Sequence, residues 1–176
     1  HAALPDDRWI QARMNYIDLP EYTATIDRAR EKYPELRVVK GMECEYLPEH
    51  QSWYEDELLG EYQFQYLIGA AHFFLDEDEK WVGTYGGTNS AKAIREFADY
   101  TVKMMASGVF DFVAHPDLFG NCYEHWDENC TAATRDIMTA AAELDVGLEV
   151  NALGIRKQAA KKPENPYPLY PWMPFW

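Results

Sequence analysis

Tyr66-Leu67-Ile68-Gly69-Ala70-Ala71-His72-Phe73-Phe74 is the stretch on which the fold turns. It is almost unbroken in its apolar character, yet too short and too rich in β-formers to be a long helix. Such a run reads as a strand covered on both faces, and strands of that kind belong to parallel sheets wrapped by helices. Its polar residue, His72, stands near the end of the run.

Working outward, the same rhythm recurs. Val38 to Tyr46 reads as an earlier strand. It follows a helix from Leu19 to Lys32, in which Tyr22, Ile26 and Ala29 share a face and Pro34 lies just beyond the end. Residues 1–18 read as loop, and Glu55–Tyr62 as a helix-like stretch. Asp76 to Thr88 reads as a charged, glycine-bearing loop. Asn89 to Ser107 is a strong helix, with Asn89 or Ser90 as N-cap and Gly108 beyond its end. Val109–Ala114 and Val146–Val150 are short apolar strands flanking an alanine-rich helix, Thr131–Leu144. Proline and aromatic residues dominate from Lys161 onward. Strand and helix alternate throughout, which predicts an α/β fold with a parallel sheet and outer helices, in one domain.

The bulk properties narrow the function. Of the 176 residues, 47% are apolar, enough for a real core, and the net charge is −14. That sign disfavours a nucleic-acid partner, which needs a basic surface. No apolar run approaches the roughly 18 residues that cross a bilayer, so no membrane partner is expected. Cys44, Cys122 and Cys130 are odd in number and show no C-x-x-C spacing. They read as ordinary thiols in a reducing cytoplasm.

The chemistry-bearing residues sit at strand ends: Glu43 and Glu45 on the first, His72 on the second, His115-Pro116-Asp117 after the third, and Glu149-Val150-Asn151 on the fourth. In β/α barrels the active site is assembled on that rim. Imidazole and carboxylate together suit zinc, manganese or iron, and a carboxylate can bridge two cations. Each residue has a plainer role open to it. His72 or His115 can be a core histidine, Asp117 a turn former, and Glu45 a supporting group or an exposed one. A charge such as Glu43 in a buried strand is costly without a partner, which favours a cation there. His50 and His125 lie away from the strand ends and read as non-ligands. Gly83–Thr88 lacks the Lys-Ser/Thr of a phosphate loop and reads as a connection. Arg156-Lys157 follows the fourth strand, either as a phosphate grip or as a solvated basic turn.

These motifs, Gly41-Met42-Glu43, Gly69-Ala70-Ala71-His72, His115-Pro116-Asp117, and Glu149-Val150-Asn151 with Gly154-Ile155-Arg156-Lys157, resemble in order and spacing those of histidinol-phosphate phosphatases of the PHP superfamily. His1-Ala2-Ala3-Leu4-Pro5 is similar to the stretch after that family's Thr-Asp/Glu-His motif. Arg13-Met14 and Glu43-Cys44-Glu45-Tyr46 are similar to this subgroup as well. The resemblance implies a distorted (β/α)7 barrel holding up to three divalent ions of zinc, manganese or iron. Glu43, His72 and His115 would be catalytic metal ligands, with Glu43 bridging, and His1 would bind the third ion. Arg156 would hold the substrate phosphate, with Asn151 and Lys157 beside it. The activity implied is hydrolysis of L-histidinol phosphate to L-histidinol and phosphate, in histidine biosynthesis. The family's His-x-His and Asp-x-His strands have no counterpart between His1 and Trp176. The expectation is therefore a fragment with an incomplete barrel, which alone lacks turnover. Two other readings stay open: a PHP-type phosphoesterase with another phosphorylated substrate, and a non-catalytic metal-binding barrel remnant.

Overall fold

The computed structural model describes residues 4–6, 14–161 and 169–176. His1 and Arg13, singled out above, lie outside them. The chain is a mixed α/β protein. Its strands β1 (Gly41–Glu45), β2 (Tyr66–Ala70), β5 (Phe112–Val113) and β6 (Gly147–Leu148) form a four-stranded parallel sheet in the order β1-β2-β5-β6. A separate pair, β3 (Phe73–Leu75) and β4 (Trp81–Gly83), is antiparallel. Contacts divide the chain into two compact units, residues 1–68 and 69–176, and β2 runs through the division.

In the first unit, helix α1 spans Leu19–Lys32, the bounds its periodicity predicts, with Pro20 in its first turn. The buried Lys40 ammonium reaches Asp27 Oδ2 at 2.9 Å and the Tyr62 carbonyl at 3.2 Å, so its charge is paired. The expected helix-like stretch is a π-helix, Trp53–Glu61. From it the buried Tyr54 hydroxyl donates to the Glu45 carbonyl at 2.6 Å and accepts the Leu47 N–H at 2.9 Å. That pair of bonds pins the chain where it leaves β1.

In the second unit, α3 (Ala91–Ala106) and α4 (Glu128–Leu144) pack along one another. On α3 the buried positions are Ala93/Ile94, Phe97/Ala98, Tyr100/Thr101 and Met104/Met105, a helical stripe; on α4 small side chains at Ala133, Ala140 and Ala141 let the partner approach. Ser90 caps α3 by accepting the Ala93 N–H, and Asp127 caps α4 by accepting the N–H groups of Asn129 and Cys130.

Two expectations need correction. The apolar run does not continue to Phe74 as one strand: it stops at Ala70, and Phe73–Leu75 pairs elsewhere. The stretch from Asp76 to Thr88 is not a loop, since it holds β4 and a one-turn helix, α2 (Thr84–Gly87). The cause lies in two residues. Asp76 Oδ1 accepts the N–H groups of Asp78 and Lys80, closing the hairpin turn. Thr84 is wholly buried; its hydroxyl donates to the Ala71 carbonyl and its N–H donates to that of His72, so the chain is stitched back on either side of the break. Among the described residues, no helix is long and apolar enough to cross a membrane.

Candidate metal and anion site

His72 follows β2 by two residues and His115 follows β5 by two residues. Both are buried, and their ring centroids are 4.8 Å apart with the planes inclined at 59°. The Ala114 N–H donates to the Gly69 carbonyl at 2.8 Å, so hydrogen bonding ties the two strand ends together just before the rings. His115 has φ +34, the left-handed region, and it precedes Pro116. That conformation costs a β-carbon residue about 1–3 kcal/mol and persists only where its surroundings impose it. Here the His115 N–H donates to Glu149 Oε2 at 3.1 Å, and its carbonyl accepts the Leu118 N–H at 3.0 Å.

Aromatic rings flank the pair. Tyr85 stacks on His72 at 6.0 Å and an interplanar angle of 7°, and Tyr170 meets His115 edge-on at 5.9 Å. The two phenol oxygens are 3.4 Å apart. Lys157 Nζ lies 4.6 Å from the centre of the Tyr85 ring and donates to the Tyr170 hydroxyl at 3.3 Å. Burial, then the Tyr85 hydroxyl, pushes the Tyr170 phenol far above its ordinary range, so it stays protonated at neutral pH. Tyr85 and Tyr170 carry no motif and lie 85 residues apart, which is why sequence reasoning missed them.

Arg156 and Lys157 belong to helix α5 (Leu153–Lys161), not to a turn, and Arg156 is exposed. Asn151 starts that helix. Its Oδ1 accepts the Leu153 N–H at 2.8 Å, while its amide donates to both oxygens of Glu149. Asp117 is wholly buried, with Oδ2 accepting the Trp172 N–H at 2.6 Å and the Trp176 indole N–H at 3.2 Å. It fastens residues 172–176, a larger task than the turn expected of it.

In the first unit, Glu43 stands in the middle of β1 and is half-buried, while Met42 and Cys44 on either side are buried. Glu45 is wholly buried, so of its two expected roles exposure is the one that fails. His50 closes a single 3-10 turn, Pro48–His50, with Nε2 3.4 Å from Asp6 Oδ2. His125 is exposed beside Glu124. Within the second unit His72 and His115 bring two imidazoles together, and Glu43 in the first unit is a carboxylate of the type that joins imidazoles around zinc, manganese or iron; His50 and His125 lie apart from the histidine pair. Compared with protein-family models and with curated proteins, the chain finds no match.

Proposed function

We propose that this chain supplies Glu43, His72 and His115 as ligands of a divalent-metal centre in a PHP-type phosphomonoesterase whose substrate is L-histidinol phosphate, and that residues 1–176 by themselves lack turnover without the family's His-x-His and Asp-x-His strands. The observation that carries the reading is the buried His72–His115 pair. Two imidazoles held ring to ring, one on strained backbone, suit a shared cation better than a core filled by packing alone. The donor set fits zinc, manganese or iron. A bound cation of this kind supplies Lewis acidity and activates water toward a phosphoryl centre.

The chain's own residues do the rest of the work. His72 and His115 present nitrogen donors, and their backbone bonds to Thr84 and Glu149 fix where those donors stand. Tyr85 and Tyr170 cover the pair, and Lys157 adds positive charge where a phosphate dianion would lie. The finer fold reading, a distorted (β/α)7 barrel of PHP type forming one domain, belongs to the same proposal. The four-stranded parallel sheet is compatible with it.

Metal uptake is the first test. Dialysis against zinc or manganese followed by elemental analysis should find bound metal in the parent protein, and His72→Ala or His115→Ala should lose most of it. Phosphate release from histidinol phosphate by a metal-loaded chain that includes those strands, set against a panel of other phosphomonoesters and against residues 1–176 alone, then tests the activity. Full metal retention in both alanine variants would sink the site assignment. A preference for another ester would sink the substrate.

A further inference from the structure

We infer that Asn151 and Glu149 form a hydrogen-bond relay that carries the position of helix α5 to His115, which makes both of them positioning residues for that histidine. Only the identity of what the His115 ring binds rests on the proposed metal centre. The β5–β6 ladder ends with the pair Val113 and Leu148, and beyond it the Glu149 N–H still donates to the Val113 carbonyl at 2.9 Å. One more pair, Ala114 with Glu149, would need the His115 N–H to donate to the Glu149 carbonyl. It donates instead to the carboxylate of the same residue, at Oε2 and 3.1 Å. The side chain thus takes the place of its own backbone acceptor. The buried His115 keeps a partner for its N–H while its backbone leaves the strand for φ +34, a conformation outside the β region.

Glu149 is exposed, and a long exposed side chain left to itself is a loose acceptor. Asn151 holds it. The Asn151 amide donates to Glu149 Oε1 at 3.2 Å and to Oε2 at 3.1 Å, and its Oδ1 accepts the N–H of Leu153, the first residue of α5, at 2.8 Å. Asparagine suits this place because it accepts at one end and donates at the other. An aspartate could make the same turn with residue 153 but would repel Glu149. Helix α5 is itself seated. A β-carbon at Gly154 would collide with the backbone of Tyr170, so the helix lies directly on that residue, and the Tyr170 ring meets His115 at 5.9 Å. His115 is therefore reached from α5 by two routes, through Glu149 to its backbone and through Tyr170 to its ring.

Two measurements on the parent protein and its variants test the relay: hydrogen exchange at the His115 amide, followed by NMR in metal-free protein, and zinc affinity, titrated against a chromophoric chelator. Glu149→Ala should speed the His115 exchange about tenfold or more, the loss expected for a charge-assisted bond. It should also weaken zinc binding about tenfold, as removal of a group that orients a ligand does. Glu149→Gln keeps an oxygen for the N–H and should stay within about threefold of the parent in both. Asn151→Asp keeps the turn with Leu153 and loses the donor to Glu149, so it should speed the exchange as well, which loss of a helix cap alone would not explain. Parent-like exchange in Glu149→Ala, equal losses in Glu149→Ala and Glu149→Gln, or parent-like exchange in Asn151→Asp would overturn the inference. So would unchanged zinc affinity in Glu149→Ala where the parent binds zinc and His115→Ala does not. Faster exchange in Glu149→Ala and Asn151→Asp in a protein that takes up no zinc would instead remove the metal reading and leave the relay standing.

Discussion

At the scale of single residues, Asp117 shows how a buried carboxylate is used for architecture. Burial pushes its pKa up; the Trp172 N–H and Trp176 indole bonds oppose this without cancelling it. Replacing it with alanine would leave both donors buried without an acceptor, each at a cost of roughly 1–3 kcal/mol. Asp117→Ala should therefore lower the denaturation midpoint clearly. Asp117→Asn keeps an acceptor oxygen and removes a buried charge, so it should cost much less. Equal losses in urea titrations of the two variants would show that the charge, not the acceptor geometry, holds the segment. The sequence shows Asp117 only as a residue after a proline. Its partners are 55 and 59 residues away, and nothing local announces them.

At the scale of elements, α4 depends on its first turn. Burial pushes the Asp127 carboxyl up, but the Cys130 N–H, the Tyr123 hydroxyl and the Asn129 side chain and N–H outweigh it and bring the pKa down to about 2. The same bond raises Tyr123 to about 12. Because the folded pKa lies below the unfolded one, this cap's contribution is fully present above about pH 4 and is lost as pH falls toward 2. Asp127→Ala should cost about 1 kcal/mol at pH 7. The difference between parent and variant should shrink in unfolding curves recorded near pH 2. A difference independent of pH would mean that the cap does not act as a carboxylate.

Elements of this kind were the most legible part of the sequence. α1 has the predicted bounds, and α3 and α4 fall within three residues of theirs, because stripes, caps and stop signals are local. The strands were placed correctly but overdrawn. Val109–Ala114 shrinks to Phe112–Val113, since Val109, Phe110 and Ala114 are buried without joining its ladder, and Val146–Val150 shrinks to Gly147–Leu148, with Val150 exposed beyond the strand end. The β3–β4 hairpin was missed because its turn is closed by Asp76 without an Asn-Gly or Asp-Gly signal. The histidines at the strand ends could be listed from sequence, but their cover by Tyr85 and Tyr170 depends on contacts between residues far apart in the chain.

At the scale of the whole molecule, a net charge of −14 on 176 residues sets the background against which every pairing acts. Like charges repel most in the compact state, and salt screens exposed charges beyond about 8–10 Å. Raising sodium chloride from about 10 to about 150 mM shortens the screening length to that range, and should raise the thermal midpoint by a few degrees at pH 7. A falling midpoint would mean that the exposed ion pairs, such as Arg28–Glu21, contribute more than the repulsion removes. Gly154 has a consequence of a different kind. With the backbone of Tyr170 filling the place where any side chain would begin, no codon change at this position is conservative, alanine included. A lineage that kept α5 against residue 170 would be held to glycine there by selection.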